Sequence, residues 1–266
     1  MKDVPWQIRI AERSIKKRDK LRLLDKWLTD DPERTALDLG CAQGILSWYL
    51  RKKGGVWVSA DQDMANLKAA KQLLGKDLVR MPEAVLPFRS AAFDLVTCLD
   101  YLEHIDDDDL CLRECRRVLR DGGTIVVVTP HTGRFFLLHR LRAALGMKLE
   151  FYGHKREGYS KKGLVAKLEA AGFEVVRTKT YSKFASELIE LVLNLAYIRL
   201  TARRGVKEAL RDGHIRPSTS EEFDAQSGKL RVYSAVYPLV WLASRLDLLL
   251  FFLKGYSLMI LAKKRI

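Results

Sequence analysis

An α/β fold, a mostly parallel sheet covered by helices on both faces, is what this sequence predicts, and three observations predict it. Ala36-Leu37-Asp38-Leu39 reads as a strand that runs straight into a turn bracketed by Gly40 and Gly44, and a helical pattern (Ile45, Leu46, Trp48, Tyr49, Leu50) starts at once. A second strand, Val56 to Ala60, ends on a carboxylate, Asp61, seventeen residues beyond Gly44. From there to Pro130, strands and helices alternate at the spacing of βαβ units.

The chain has 266 residues, enough for one sizeable domain with an elaboration or for two small ones. A hydrophobic content of 48% excludes a disordered chain. The net charge of +14 calls for an anionic neighbour, whether nucleic acid, an acidic membrane face or an anionic substrate, and does not choose among them. Four cysteines (Cys41, Cys98, Cys111, Cys115) sit in apolar or helical contexts. Cys111 and Cys115 share a helix face, but no His or Cys nearby completes a metal set, so buried free thiols of a reducing cytosol are expected and no metal. The first twenty residues have no apolar run of the signal-peptide kind, and none is expected.

Residues 6–29 read as one basic helix with Trp6, Ile10, Leu21, Leu24 and Leu28 as its apolar positions, stopped by Asp30-Asp31-Pro32. It is expected to pack its second half on the sheet, or to serve as a basic arm for an anionic partner. In the glycine turn, Gly40 lets the backbone leave the strand at angles a β-carbon forbids, and Gly44 lets the helix begin close to a ligand. Asp61, at the tip of the second strand, is placed to accept hydrogen bonds from ribose hydroxyls. A helix over Met64–Leu74 follows, then a short strand at Leu78-Val79-Arg80 and the run Glu83-Ala84-Val85-Leu86-Pro87-Phe88. The fourth strand is Phe93 to Leu99, and Asp100-Tyr101-Leu102-Glu103-His104 leaves its C-terminal end. Asp107–Leu119 has helical periodicity, Gly122-Gly123 ends it, and Thr124–Pro130 reads as a buried fifth strand.

These motifs in this order resemble the class I S-adenosylmethionine-dependent methyltransferases, and within them the branch of the ubiquinone/menaquinone methyltransferases. The likeness rests on Leu37-Asp38-Leu39-Gly40-Cys41 with Gly44, then Asp61, Leu86-Pro87-Phe88, Phe93-Asp94-Leu95-Val96, Leu102-Glu103-His104, Arg117-Val118-Leu119 and Gly122-Gly123. It continues through His154–Ser160, Leu164, Leu168 and Ala171–Val176, with a last strand at Tyr256–Lys263. The resemblance implies a Rossmann-like sheet of seven strands with a terminal antiparallel strand, helical insertions before the sixth and last strands, and S-adenosylmethionine across the C-terminal strand ends. It implies that Asp38 orients the amino-acid end of the cofactor through backbone and water, while Gly40, Cys41 and Gly44 let the main chain approach. Asp61, with Gln62 beside it, would hold the ribose hydroxyls; Glu83 and Ala84 would flank the adenine; Cys98 and Leu99 would line the floor. Two positions depart from the family pattern. Ala42 stands where a glycine is usual, which costs little if φ is negative there, and Glu83 is taken for the acidic residue that usually precedes Leu-Pro-Phe.

The implied reaction is in-line displacement at a sulfonium methyl, in which the protein mainly positions and desolvates and needs one base or none. His131 follows the fifth strand and His104 the fourth, so both are candidates to take a proton near neutral pH; Asp100 and Tyr159 are lesser ones. An Asn/Asp-Pro-Pro-Tyr motif and a Pro-Cys pair are both missing after the fourth strand. That disfavours planar-amino-group and pyrimidine-C5 methylation.

Two insertions point to the substrate. One, at 132–152, includes Arg134–Arg142 and Phe151-Tyr152, mixes a bulky apolar face with arginines, and leaves the catalytic edge where lids are placed. The other, at 182–254, carries an apolar helix (Phe184–Leu200), a basic stretch (Arg203–Lys229) and a second apolar run (Val236–Leu253). That run nearly has the length of a membrane span, but Arg245 and Asp247 would each cost roughly 2.5–3.5 kcal/mol inside one. An in-plane helix on lipid headgroups fits better, beside the simpler expectation of a cap or dimer interface. The organisation expected is therefore a basic helical segment (1–34), a methyltransferase core (35–181), an apolar helical insertion (182–254) and a last core strand (255–266). The expected function is methylation, at oxygen or carbon, of a hydrophobic small-molecule or lipid-linked acceptor. The setting is cytoplasmic and peripheral on the inner membrane face, with an anionic membrane surface and a homodimer through the helical insertion as partners. Nucleic acid is not the expected partner, although methylation of RNA or another anionic macromolecule is the alternative, and a non-catalytic scaffold of the same fold is a third reading.

Overall fold

The structure is a computed structural model that describes residues 5–133, 136–145, 153–201 and 227–265. Arg134, Phe135, Lys148, Phe151 and Tyr152 of the first insertion, and residues 203–226 of the second with His214, lie outside the described residues. The chain divides into two compact units. One, made of residues 21–133, 155–180 and 257–266, holds the sheet; the other, made of 1–20, 134–154 and 181–256, is helical. The first change from one unit to the other falls between Lys20 and Leu21, and Leu24 and Leu28 beyond it are buried.

The sheet has seven strands: β1 (Thr35–Leu39), β2 (Val56–Asp61), β3 (Leu78–Arg80), β4 (Phe93–Leu99), β5 (Leu119–Pro130), β6 (Phe173–Tyr181) and β7 (Ser257–Lys264). Their order is β3-β2-β1-β4-β5-β7-β6. Strand β1 is parallel to both β2 and β4, β4 is parallel to β5, and β7 runs antiparallel to β5. Strands β1 and β4, and β5 from Ile125 to Val128, are near-continuous buried runs because both of their faces are covered. The order reverses between β1 and β4, and the crevice outside the C-terminal strand ends at such a point is where open α/β sheets bind ligands.

The parallel connections carry helices α3 (Ile45–Leu50), α4 (Met64–Leu74) and α5 (Asp108–Val118). Asp63 caps α4 by accepting from Ala65 N at 2.7 Å, and Asp107 caps α5 by accepting from Leu110 N at 2.8 Å. Three of the four cysteines (Cys98, Cys111, Cys115) are completely buried and Cys41 nearly so; all four are free thiols, and burial pushes those of Cys41 and Cys98 up.

Two sequence expectations change. Residues 6–29 form two helices, α1 (Trp6–Ala11) and α2 (Ile15–Trp27), because Ser14 Oγ accepts from Lys17 N at 3.3 Å and caps a fresh start. The fifth strand begins at Leu119 and not at Thr124. Leu119 already pairs with Phe93, and Gly122-Gly123 sit inside a register irregularity before Leu95 meets Thr124.

Two motifs that looked separate in the sequence form one clamp. Arg117 on α5 donates to Phe88 O at 2.8 Å and Leu86 O at 2.9 Å, while Glu114 accepts from Leu86 N at 3.0 Å. Arg117-Val118-Leu119 thereby holds Leu86-Pro87-Phe88 in place. Another cluster ties the return of the chain to this unit. Asp108 takes Tyr159 Oη at 2.6 Å, Arg156 at 2.6 Å and Lys167 at 3.0 Å, the last on α7 (Lys161–Ala170). Burial raises the Asp108 carboxyl, but the tyrosine hydroxyl, the lysine and the arginine together hold it below the usual range.

The helical unit contains α1, the start of α2, α6 (Leu137–Ala144), α8 (Phe184–Thr201) and α9 (Ser227–Ser244), followed by a 3₁₀ turn at Arg245–Leu248. Phe136, Leu138, Leu191 and Tyr256 form its small core. Its charged centre is Glu187 on α8, whose side chain is 1% exposed and pairs with Lys16 at 2.7 Å and with Arg142 of α6. Burial alone would raise the Glu187 carboxyl; the two cations hold it below the ordinary glutamate value. Among the described residues no helix is long and apolar enough to cross a membrane.

Candidate active site

The site is built at the reversal between β1 and β4. Strand β1 ends at Leu39, and the chain turns through three alternate left-handed positions: Gly40 (φ 73°), Ala42 (φ 46°) and Gly44 (φ 80°), with Cys41 and Gln43 between them. A β-carbon on Gly40 would stand 2.3 Å from the Tyr101 ring, so glycine is required there for space as well as for φ. Gly44 is the residue before α3, and a β-carbon there would press on Leu74 and Ala70 of α4 at 2.9–3.1 Å. Its absence of a side chain lets two helices approach. The glycine that looked ready for a ligand is thus also a packing glycine.

Ala42 is the correction that matters. A negative φ would have made the missing glycine harmless, but the structure gives +46°, a conformation that costs an L-residue about 1–2 kcal/mol. The strain is held by Asp61, which accepts from Ala42 N at 2.8 Å. Ala42→Gly is therefore expected to raise stability by up to about 1 kcal/mol, part of the relief being offset by the freer unfolded chain. Urea unfolding midpoints check it; a lower midpoint would contradict the strain.

Asp61 is buried, and its carboxylate organises the crevice. One oxygen takes Ala42 N; the other takes Asp63 N at 2.9 Å and Asn66 Nδ2 at a long 3.3 Å. An ionised carboxylate has about four acceptor positions. One is open and the Asn66 bond is weak enough to yield, so two ribose hydroxyls fit its remaining capacity.

Asp38 is buried, and its carboxylate accepts from Ser47 Oγ at 2.5 Å and Thr97 Oγ1 at 2.7 Å. Burial pushes its pKa up to about 6, against the pull of those two hydroxyls. It bonds β4 and α3 to β1.

The other expected residues fall around these. Glu83 accepts from Tyr101 Oη at its carbonyl oxygen (2.6 Å) and from Asp106 N at its carboxylate (2.6 Å). Ala84 is buried, and Met81 N reaches Asp61 O at 3.1 Å. A continuous path of bonds and contacts therefore joins Gly40, Tyr101, Glu83, Met81 and Asp61. Cys98 and Leu99 form the buried end of β4, and Gln62 is exposed beside Asp61. His131 lies buried just after β5, in a bridge with Tyr159, and His104, itself partly buried, ends a 3₁₀ turn after β4 whose Leu102 and Glu103 are buried. Both leave the same edge of the sheet as the glycine turn. Tyr159 itself is committed to Asp108, a structural task.

Tyr101 is the residue that sequence reasoning missed. It sits two residues beyond β4 with its ring over Gly40, and its signal was a tyrosine placed directly after the fourth strand.

Residues 37–127 match the family model described as a methyltransferase domain. The turn, the carboxylate and that match mark residues 37–127 as a methyltransferase domain. Among curated proteins, the chain resembles ubiquinone biosynthesis O-methyltransferases. It is 34% identical over 98 residues to that enzyme of Parvibaculum lavamentivorans, which is 35% of this chain and 39% of the relative. It is 34% identical over 120 residues to that of Psychrobacter cryohalolentis, 39% of this chain and 47% of the relative. The chain thus spans less than half the length of these curated relatives. In fold, it matches a SAM-dependent methyltransferase from Archaeoglobus fulgidus with a TM-score of 0.56 at 18% identity, covering 95% of this chain and 94% of that one.

Proposed function

We propose that the protein transfers a methyl group from S-adenosylmethionine to an oxygen or carbon of a hydrophobic small-molecule or lipid-linked acceptor, at the cytoplasmic membrane face. The observation that carries the cofactor half is the Asp61 carboxylate at the tip of β2, which locks the glycine turn through Ala42 N and keeps acceptor capacity beyond its three hydrogen bonds. The acceptor half is supported by the apolar exposure of the helical unit, and by the relatives, which are ubiquinone biosynthesis O-methyltransferases.

In this reading the sulfonium of the bound donor supplies an activated methyl group. Asp61 holds the ribose, the Gly40–Gly44 backbone approaches the amino-acid end, and Glu83-Ala84 flank the base. The chain's work is to align the acceptor and exclude water, since charge disappears in the step and a drier site favours it. His131 is the first candidate to receive the acceptor's proton on its imidazole, and His104 the second.

Calorimetric titration with S-adenosylhomocysteine tests it on the wild type and Asp61→Asn. Asparagine keeps one acceptor for Ala42 N, whereas alanine would release the turn as well. Binding weakened by tenfold or more, with melting close to wild type, is the expected result, as for loss of a charge-assisted bond. A wild type that binds neither this ligand nor the methyl donor would overturn the proposal. Transfer of labelled methyl to a lipid extract identifies the acceptor class.

A further inference from the structure

The segment that follows α9 is built inside out. In residues 245–254 the two groups expected to face water are turned inward. Asp247 accepts from Lys183 N and Ala185 N, both at 2.8 Å, and so caps the start of α8. Arg245 reaches Asp19 at 3.8 Å and stacks on Trp241 with its guanidinium carbon 4.7 Å from the ring centroid. The outward positions are apolar instead: Leu248 and Leu249 are each 70% exposed, Phe251 81% and Phe252 69%. The two phenylalanine rings meet edge to face at 5.7 Å, a compact wedge. Leu239, Leu242 and Leu246, at helical spacing, extend the exposed stripe back along α9. The only exposed charge in 245–254 is a cation, Lys254.

Resting on the membrane-side reading above, we propose that this segment is a docking element for an anionic lipid bilayer. Phe251 and Phe252 enter the boundary between headgroups and acyl chains, and Lys254 meets lipid phosphate. A contiguous exposed patch of this kind marks an interaction surface. Charge decides the occupant. Two copies of a chain with net charge +14 repel on approach, whereas an anionic lipid surface attracts it. The length of the segment suits an in-plane contact, since no described helix spans a membrane. Because Asp247 fixes the segment to α8, the wedge is presented already ordered.

The test is flotation of the full chain with vesicles of phosphatidylcholine, with and without phosphatidylglycerol. The variants are Phe251→Ser with Phe252→Ser, and Lys254→Glu, each checked for S-adenosylhomocysteine binding as the readout of an intact sheet-bearing unit. The wild type is expected to float with the phosphatidylglycerol vesicles. The double serine variant should partition about tenfold less or weaker, and Lys254→Glu should lose the preference for anionic lipid. A wild type that stays in the aqueous fraction, or a serine variant that floats as well as wild type, overturns the surface. So does light scattering that shows a wild-type dimer lost in the serine variant, with flotation unchanged. The two readings fail separately: cofactor binding without flotation removes the surface alone, and flotation without cofactor binding removes the methyltransferase reading alone.

Discussion

Gly40→Ala is expected to destabilise the sheet-bearing unit by about 3 kcal/mol or more and to abolish S-adenosylhomocysteine binding. Two costs add. The left-handed φ of 73° charges an alanine roughly 1–2 kcal/mol, and a β-carbon 2.3 Å from Tyr101 Cδ2 must displace a ring whose hydroxyl is tied to Glu83 O. A double-mutant cycle separates them. In a Tyr101→Ala background the ring contacts go and only the Cβ contact at 2.8 Å remains, so the steric part should shrink while the conformational part stays, and the cycle should show a coupling of about 1–3 kcal/mol. Urea unfolding of the four proteins reads it directly. Additive effects would mean that Tyr101 yields freely and that Gly40 is needed for φ alone.

Glu187→Gln should loosen the helical unit. The carboxylate faces Lys16 and Arg142 together, and its replacement leaves two cations without their anion. Breaking a buried pair costs about 3–5 kcal/mol, and the lower end or somewhat less is expected here because Lys16 is 29% exposed and can turn to water. Hydrogen exchange should show earlier opening of α6 and α8, while the amides of β1 and β4 change little. The pH dependence follows in sign. Glu187 is held below the ordinary glutamate value in the folded state, so the unfolded state binds the proton more readily. Its stabilisation is complete above the unfolded pKa, about 4.3, and is lost as pH falls through the lowered folded value. The gap between wild-type and variant melting should therefore close on acidification below pH of about 4. A constant gap would show that Glu187 acts by packing and not by charge.

Much of the sheet-bearing unit was legible because its signals are local. Strand β1, the glycine turn and Asp61 follow one another within a single βαβ unit, and the apolar runs of β4 and β5 announce strands buried on both faces. Asp61 stands at the tip of β2 as expected, Glu83 is tied to Tyr101, and Ala84 is buried beside it. What stayed hidden depends on distant partners. The sign of φ at Ala42 is set by its bond to Asp61. Tyr101 gains its place only when β4 lies beside β1. Asp247 looked like a costly charge in an apolar run, but it caps a helix that begins at Phe184, far earlier in the chain. The split of the N-terminal helix was local and still missed, because one serine outweighed a continuous basic pattern.

Both chain excursions into the helical unit are pinched shut at their feet. The first leaves after β5 and returns at Tyr159, where Tyr159 N reaches Pro130 O at 2.9 Å and Thr132 N reaches Tyr159 O at 3.0 Å. Gly158 makes that approach possible, since a β-carbon there would stand 2.2 Å from Pro130 O. The second closes where Tyr256 N meets Ser182 O at 2.7 Å, with Gly255 against the Tyr181 backbone. A loop whose ends already touch can lengthen, shorten or be exchanged at little entropic cost to the scaffold that holds it. The methyltransferase-domain match stops at residue 127, just before the first pinch. Either excursion can therefore change in length or content while the sheet that carries both stays as it is.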